Sequence, residues 1–379
     1  MKKQKIIAVL LAAEVCAGLA CGCKATDDIP AAASASSKMA AADQATPHIK
    51  QTFSNGLSIN ADVIVPKGVD TKAVKIQKVK AVSFPKKTVL QTLFKNTKIK
   101  TKQSQNQGAT RGGNQLPSEL YVAEDGSECT IDSAMGFLSY GSPLSEAISY
   151  AYFDSEAAAD IQNNRACYKK KNLSFMTAQQ AVKKAEDILT QFGVPPLSQP
   201  KVVALDHETL QKQEVDPQKY KLKPTDKTQK KGTWTKADEC YVLYFHQKIN
   251  DIPIGTDHIF PYAFPPKIVM YLGKNGVVKL DMTAYKPTND AEETKPVVPV
   301  EQAVKTFTTF YGSAQLPSAA QVTNIRLQYA LKPTSNTSDV YQYSPVWTFI
   351  MSVKEKNKDQ SANISKIYVD ALTGKLIRQ

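Results

Sequence analysis

A hydrolase serine is usually presented as Gly-x-Ser-x-Gly, because the flanking glycines let a strand turn sharply into a helix with the hydroxyl exposed. In Gly136-Phe137-Leu138-Ser139-Tyr140-Gly141 a glycine follows Ser139 at the right distance, but the one before it stands three residues away instead of two. No glycine-rich turn runs into Gly-Lys-Ser/Thr, and no dinucleotide fingerprint follows a strand pattern. His48, His207, His246 and His258 are too dispersed for a local ligand pair and are joined by no His-Glu-x-x-His motif, so neither a metal nor any other cofactor is expected. Cys129, Cys167 and Cys240 lack the spacing of a zinc knuckle or a redox pair. Buried single thiols are expected, although one bridge among the three, or to Cys23, would suit an oxidising compartment. The carboxylate pairs Glu119 with Glu124 and Asp251 with Asp257 are of a kind found on any charged surface. No catalytic residue is therefore assigned. Any enzymatic site would have to be assembled from distant residues, with His246 and His258 as starting points.

Chemistry of another kind is written at the N-terminus. Lys2, Lys3 and Lys5 precede an apolar run from Ile6 to Ala20, the length of a signal-peptide core and short of the ~20 residues that span a bilayer. The run closes on Gly18-Leu19-Ala20-Cys21-Gly22-Cys23, with small residues before a cysteine and a polar segment after it, as in bacterial lipoprotein signals. Cys21 is the expected lipidation site and Cys23 the alternative. Gly18 stands where an aliphatic residue is usual, and Glu14 interrupts the apolar run. The competing readings are an N-terminal membrane anchor and an ordinary cleavage site within residues 31–40. Residues 1–20 read as the signal peptide and 21–52 as a lipid-anchored tether, rich in Ala, Ser, Thr and Asp and too poor in large apolar residues to offset the entropy of ordering. The expected location is the extracytoplasmic face of the cell membrane, with secretion as the alternative.

The 379 residues are 42% hydrophobic and 22% charged, which suits globular domains and excludes collagen, coiled coil and a multi-span membrane protein. Net charge is +13; cleavage before Cys21 removes three lysines and one glutamate and leaves +11. The expected reading is a solvated surface with a lysine bias, and the alternative is screened attraction to anionic lipid or wall polymers within a Debye length of ~8 Å. The lysines are spread along the chain without the interleaved aromatics that stack on bases, so nucleic acid is not an expected partner.

These features need elements to carry them. Leu57–Val65 alternates apolar and polar residues as a strand does and stops at Pro66-Lys67-Gly68, and a second strand is expected at 73–82. A helix opens at Pro85 and runs through Phe94; 95–115 reads as a polar excursion. Asp125-Gly126, between Leu120-Tyr121-Val122 and Cys129-Thr130-Ile131, signals a hairpin. Residues 53–170 thus form a strand-rich N-terminal region.

Beyond it the order of elements repeats weakly. Thr177 caps a helix with Ala181, Val182, Ala185, Ile188, Leu189 and Phe192 on one side, ended by Gly193-Val194-Pro195-Pro196; strands follow near 201–205, 240–249 and 268–282. Gln302-Ala303-Val304-Lys305 echoes Gln180-Ala181-Val182-Lys183, with Phe307, Phe310 and Tyr311 expected to continue the apolar face of a second helix to Gly312, and with strands near 322–331, 345–354 and 364–370. Turns at Asn275-Gly276 and Thr373-Gly374 place glycine where positive φ is easiest. An insert from Asp206 to Trp234, rich in lysine, reads as an exposed loop.

The tail Tyr368-Val369-Asp370-Ala371-Leu372-Thr373-Gly374 resembles the closing hairpin of PepSY-type modules, and Ser344-Pro345-Val346-Trp347-Thr348-Phe349 their preceding strand. Tyr241–Ile254 resembles a strand pair of YycH- and YycI-type regulators, and Asn60-Ala61-Asp62-Val63-Ile64-Val65-Pro66 fits uncharacterised Gram-positive lipoproteins with such a tail. The resemblance implies an α+β fold of tandem PepSY-like units, each a helix packed on an antiparallel sheet, at 171–290 and 291–379. It also implies a non-enzymatic, protein-binding or regulatory role at the envelope, with a sensor kinase or a peptidase as the class of partner. The alternative is an envelope hydrolase or small-ligand receptor. On physical grounds Asp370 should accept backbone amides in its turn, and Trp347 should be core.

Overall fold

The structure, a computed structural model, describes residues 44–105, 118–154, 164–216, 230–249, 252–260, 263–290, 293–316, 318–335, 339–354 and 362–377. Cys21, Cys23, the signal run, most of the tether and 217–229 of the lysine-rich insert lie outside the described residues. In chain order the elements begin with β1 (Gln44–Thr52), β2 (Leu57–Val65), β3 (Val74–Ala81), α1 (Lys86–Leu93), β4 (Ile99–Gln105), β5 (Ser118–Ala123), β6 (Glu128–Asp132), β7 (Phe137–Gly141) and α2 (Pro143–Ser149). The middle of the chain supplies α3 (Ala178–Gln191), β8 (Lys201–Leu205), α4 (His207–Gln213), β9 (Cys240–Phe245), β10 (Lys248–Ile249), β11 (Ile252–Pro253), β12 (Lys267–Gly273), β13 (Gly276–Thr283), β14 (Tyr285–Pro287) and β15 (Glu293–Lys295). Last come α5 (Val300–Tyr311), β16 (Ala320–Pro333), β17 (Val340–Lys354), β18 (Ala362–Asp370) and β19 (Leu376–Ile377).

Two large sheets dominate. One has eight antiparallel strands in the order β4-β5-β6-β7-β13-β12-β9-β8. The other has nine, with the path β1-β2-β16-β17-β18-β19 and with β3, β14 and β15 joined at β17; its β2–β16 pairing is parallel. This overturns the expected fold class. The protein is mostly β, and it is not a tandem of PepSY-like helix-on-sheet units beside a separate strand-rich region. The N-terminal strands are shared out between the two sheets: β4 to β7 complete the eight-stranded sheet, and β1 to β3 enter the nine-stranded one. Alternation marks a segment as a strand but leaves its pairing partner unspecified, since that is fixed by long-range burial.

Two polar segments that read as tether and excursion are also strands. β1 pairs with β2 from Gln44 to Thr52, and Ile49 packs against the core; β4 pairs with β5 and leaves the side chains of residues 99–104 exposed. Each is an edge strand, where backbone pairing with one neighbour suffices and a polar surface guards against further pairing. The expected strand at 268–282 is split into β12 and β13 by a turn in which Gly276 has φ +135°. Residues 207–213 of the insert form α4, capped by Asp206.

Other readings hold in detail. Thr177 and Gln180 form a reciprocal capping box at the start of α3, and Trp347 is core, its Nε1 donating to the Val298 carbonyl at 3.0 Å. Asp370 Oδ1 accepts the amides of Leu372 (2.9 Å) and Thr373 (3.0 Å), and Gly374 takes φ +69°. Cys129 and Cys240 are buried thiols, and burial pushes Cys129 up to about 12; Cys167 departs from the expectation of burial and is exposed, and the three form no bridge among the described residues.

A second glycine is held more tightly. Gly136 has φ +61°, and a Cβ there would run into the Ala284 carbonyl, which already accepts from Val82 N at 2.9 Å. Gly136→Ala is expected to cost about 2–4 kcal/mol from left-handed strain plus backbone displacement. Equilibrium urea unfolding checks this, and a loss below about 1 kcal/mol would remove the argument.

Candidate interaction surface

Strand alternation gives the nine-stranded sheet two unlike faces. Leu57, Ile59, Ala61 and Val63 of β2 point into a core with Val304 and Phe307 of α5 and Trp347 and Phe349 of β17. Asn60, Asp62 and Ile64 therefore belong to the opposite face. There the registers align Asp62, Asn324, Ile350 and Lys366 in one row and Ile64, Arg326, Thr348 and Tyr368 in the next. His48 lies across from Asp62 and carries the first row onto β1.

One end of this face is roofed by residues 254–260. Ile254 bridges to Tyr329, Gly255 N donates to the Tyr329 carbonyl at 2.8 Å, and Ile259 buries itself among Ala330, Val346 and Tyr368. An ion pair from Asp257 to Lys366 at 2.6 Å fastens the strap, and Lys332, paired with Asp370 at 3.6 Å, lies over the Phe260 ring. Ser344 Oγ, Thr348 Oγ1 and Gln328 Nε2, from strands of the roofed region, are buried with no hydrogen-bond partner among the described residues. At the other end, Asn60, Asp62 and Ile364 are exposed, Ile364 at 48%. His48 contributes its Nδ1 to Asp62 at 2.8 Å and its Nε2 to Asn60 Oδ1 at 2.9 Å. The bond to Asp62, then that to Asn60, holds this imidazole above its ordinary value.

The other candidate residues do not converge on this face as a group. His258 is exposed and packs on Phe264 at 5.5 Å, while the backbone carbonyl of His246 accepts from Ser198 N and Oγ. Asp257 is taken up by Lys366; Asp251 lies outside the described residues.

Distance in sequence hid a closer pair: His207 Nδ1 is 2.7 Å from Oε1 of Glu239, a carboxylate only 4% exposed whose Oε2 has no partner among the described residues. Asp206, beside it, caps α4 and meets Lys170 at 3.2 Å. A second buried carboxylate, Asp154, accepts from Tyr152 at 2.8 Å and faces Arg165 at 3.3 Å and Lys201 at 3.7 Å. A shallow cleft of about 470 Å³ lies between α2 and the loop before β9, lined by Leu144, Ala147, Tyr150, Lys231 and Asp238. Among the described residues no cluster of His, Cys, Asp and Glu could hold a metal ion, and no helix is long and apolar enough to cross a membrane.

Of the flagged carboxylates, Glu119 is structural. It binds Lys86 of α1, Lys102 of β4 at 2.7 Å and the Tyr121 hydroxyl at 3.0 Å. Burial alone would raise its pKa, but the bonds from Lys102, Lys86 and Tyr121 outweigh this and hold it at about 2. The folded value is the lower one, so the stabilisation is present above the unfolded value of 4.5 and is lost as pH falls towards 2. Glu119→Gln is expected to flatten the acid limb of stability in that window, measured by urea midpoints at successive pH values. An unchanged limb would contradict it.

No family model matches the chain, and no curated protein matches it. Among solved structures, an uncharacterized protein from Eubacterium rectale ATCC 33656, determined by crystallography at 1.45 Å, superposes with a TM-score of 0.59. The similarity covers 88% of this chain and 93% of that one at 17% sequence identity, so what the two share is a fold.

Proposed function

We propose that this chain is a lipid-anchored extracytoplasmic protein that binds or regulates another envelope protein and performs no chemistry of its own. The observation that carries the reading is the half-roofed face of the nine-stranded sheet. Its edge strand β1 is the first described element after the segment that bears Cys21. The lipoprotein-like cysteine supports the same role. A sensor kinase or a peptidase is the class of partner that fits.

The test is crosslinking in intact cells from a photoreactive residue at position 364, with Ile99 of the other sheet as the control position, followed by recovery from membranes. One stoichiometric envelope-protein adduct from 364 alone is expected. No such adduct, together with hydrolysis of a wall substrate by the purified chain, would reject it. One observation favours that second reading: the buried Glu239 carboxylate on His207 has the form of an acid–base pair. If it is one, His207→Ala abolishes the hydrolysis.

A further inference from the structure

The last turns of the edge strand β1 are held to the nine-stranded sheet by few side chains. Of residues 48–52 only Ile49 packs against the core, and His48, Lys50, Gln51 and Thr52 are exposed. The ladder with β2 shifts register between Thr46 and His48, at Pro47, a residue with no N–H to give. Such a bulge bends its strand and re-aims the next side chain. That side chain is His48, which stands across from Asp62 and on the diagonal from Asn60. An edge element with little buried surface opens locally at low cost, so modest bonds decide how often it is open.

The bonds on His48 specify its charge. Nδ1 lies 2.8 Å from Asp62 Oδ1, and Nε2 lies 2.9 Å from Asn60 Oδ1. Both partners are acceptor oxygens, and an imidazole carries an N–H on each nitrogen only when it is protonated. The neutral ring keeps one of the two bonds and turns a lone pair towards the other oxygen. The charged groups that face the ring are Asp62 of β2, which favours the cation, and Lys50 of β1, which opposes it; Asn324 of β16, next in the row beyond Asp62, is uncharged. The bond to Asp62, then that to Asn60, prevails, and the ring keeps its proton above the ordinary 6.5. Because the proton is held more tightly with β1 closed than with β1 open, it favours closure. That stabilisation is complete below 6.5 and is lost as pH rises through the higher value of the closed strand.

We propose that His48 is a proton-operated clasp on the edge of this sheet, fastening β1 to β2 when charged and letting it open when neutral. Each opening uncovers the backbone groups of β2 that β1 pairs, while β16 and the core residues Leu57, Ile59, Ala61 and Val63 keep β2 itself in place. The clasp does not depend on the protein-binding reading. It makes the exposure of one sheet edge respond to the acidity of the surroundings.

The test follows the purified chain from about pH 5.5 to about pH 8.5, a window that brackets histidine titration, by two readouts. Imidazole NMR reads the proton on His48. Hydrogen–deuterium exchange, divided by the intrinsic rate at each pH, reads the opening of residues 48–52, with β17 as the internal standard. His48 is expected to titrate above 6.5 and to fall towards it in Asp62→Asn, whereas Lys50→Ala, which removes the opposing charge, should raise it further. Opening of β1 should increase about two- to fivefold from the acid to the alkaline end, the effect of losing an exposed ion pair, while β17 stays unchanged. In His48→Ala the opening should stand at its alkaline level throughout and no longer vary with pH. His48, Lys50 and Asp62 are all exposed, so these variants leave the core intact, and unaltered exchange of β17 verifies it. Titration of His48 at or below 6.5, indifference of His48 to Asp62→Asn, opening that ignores pH, or a pH dependence that survives in His48→Ala overturns the inference. So does a rise in β17 exchange equal to that in β1, since the whole sheet and not its edge would then be opening.

Discussion

Phe307→Ala is expected to lower the unfolding free energy by about 3–5 kcal/mol, the range for deleting a buried phenylalanine from a close-packed core. Phe307 is fully buried on α5, and its ring stacks on Phe349 at 4.6 Å with an interplanar angle of 5° and on Tyr311 at 5.1 Å. The same core holds Leu57, Ile59 and Val63 of β2, so a cavity there loosens the helix, the C-terminal strands and the N-terminal strands together. The urea midpoint should fall with an unchanged slope. Phe310→Ala, three residues on and 44% exposed, should change stability by less than about 0.5 kcal/mol. Equal losses at the two positions would mean that α5 does not use this face to hold the sheet.

Cys21→Ser is expected to abolish incorporation of an alkyne-labelled fatty acid and to release the chain from the membrane fraction. An acyl chain contributes about 0.8 kcal/mol for each buried methylene, so losing the lipid removes a partitioning energy that surface lysines do not replace in physiological salt. Cys23→Ser should leave both labelling and anchoring intact. The reverse pattern would assign the lipid to Cys23, full labelling of the double variant would exclude both cysteines as the site, and absence of labelling in the unaltered chain would reject lipidation altogether.

Local structure was legible where a short stretch of sequence states its own hydrogen bonds. Thr177 with Gln180 announces the cap of α3, Pro195-Pro196 and Gly193 announce its end, and Asp370 with Gly374 announces the final turn; each needs partners only a few residues away. β8 was readable because Val202–Leu205 is an apolar run bounded by Pro200 and Asp206. β1 and β4 were not, because an edge strand of Lys, Gln and Thr is held by backbone bonds to a neighbour and has little apolar pattern of its own.

The larger architecture escaped for the same reason. The repeated order of helix and strands is present as α3 followed by the β8-β9-β12-β13 path and α5 followed by the β16-β17-β18-β19 path. That order suggested two self-contained units. It could not show that β2 would pair in parallel with β16, some 260 residues later, or that β7 would extend the other sheet beside β13. The candidate surface depends on those long-range registers, since Asp62, Asn324, Ile350 and Lys366 share a row only once β2, β16, β17 and β18 are side by side. His207 and Glu239 were unreadable as a pair on the same ground, being brought together by the β8–β9 ladder.

The central claim is that the open face of the nine-stranded sheet is occupied in the cell. In a Cys23→Ser/Cys167→Ser background, which removes the exposed thiol of the described residues and the second cysteine of the lipoprotein-like run, maleimide labelling rates are compared at Ile364→Cys and at Ile99→Cys, in intact cells and in the purified chain. Labelling at 364 should slow at least tenfold in cells relative to the purified chain while labelling at 99 changes little. Equal ratios at the two positions would show that nothing covers this face, and the proposed role would fall with it.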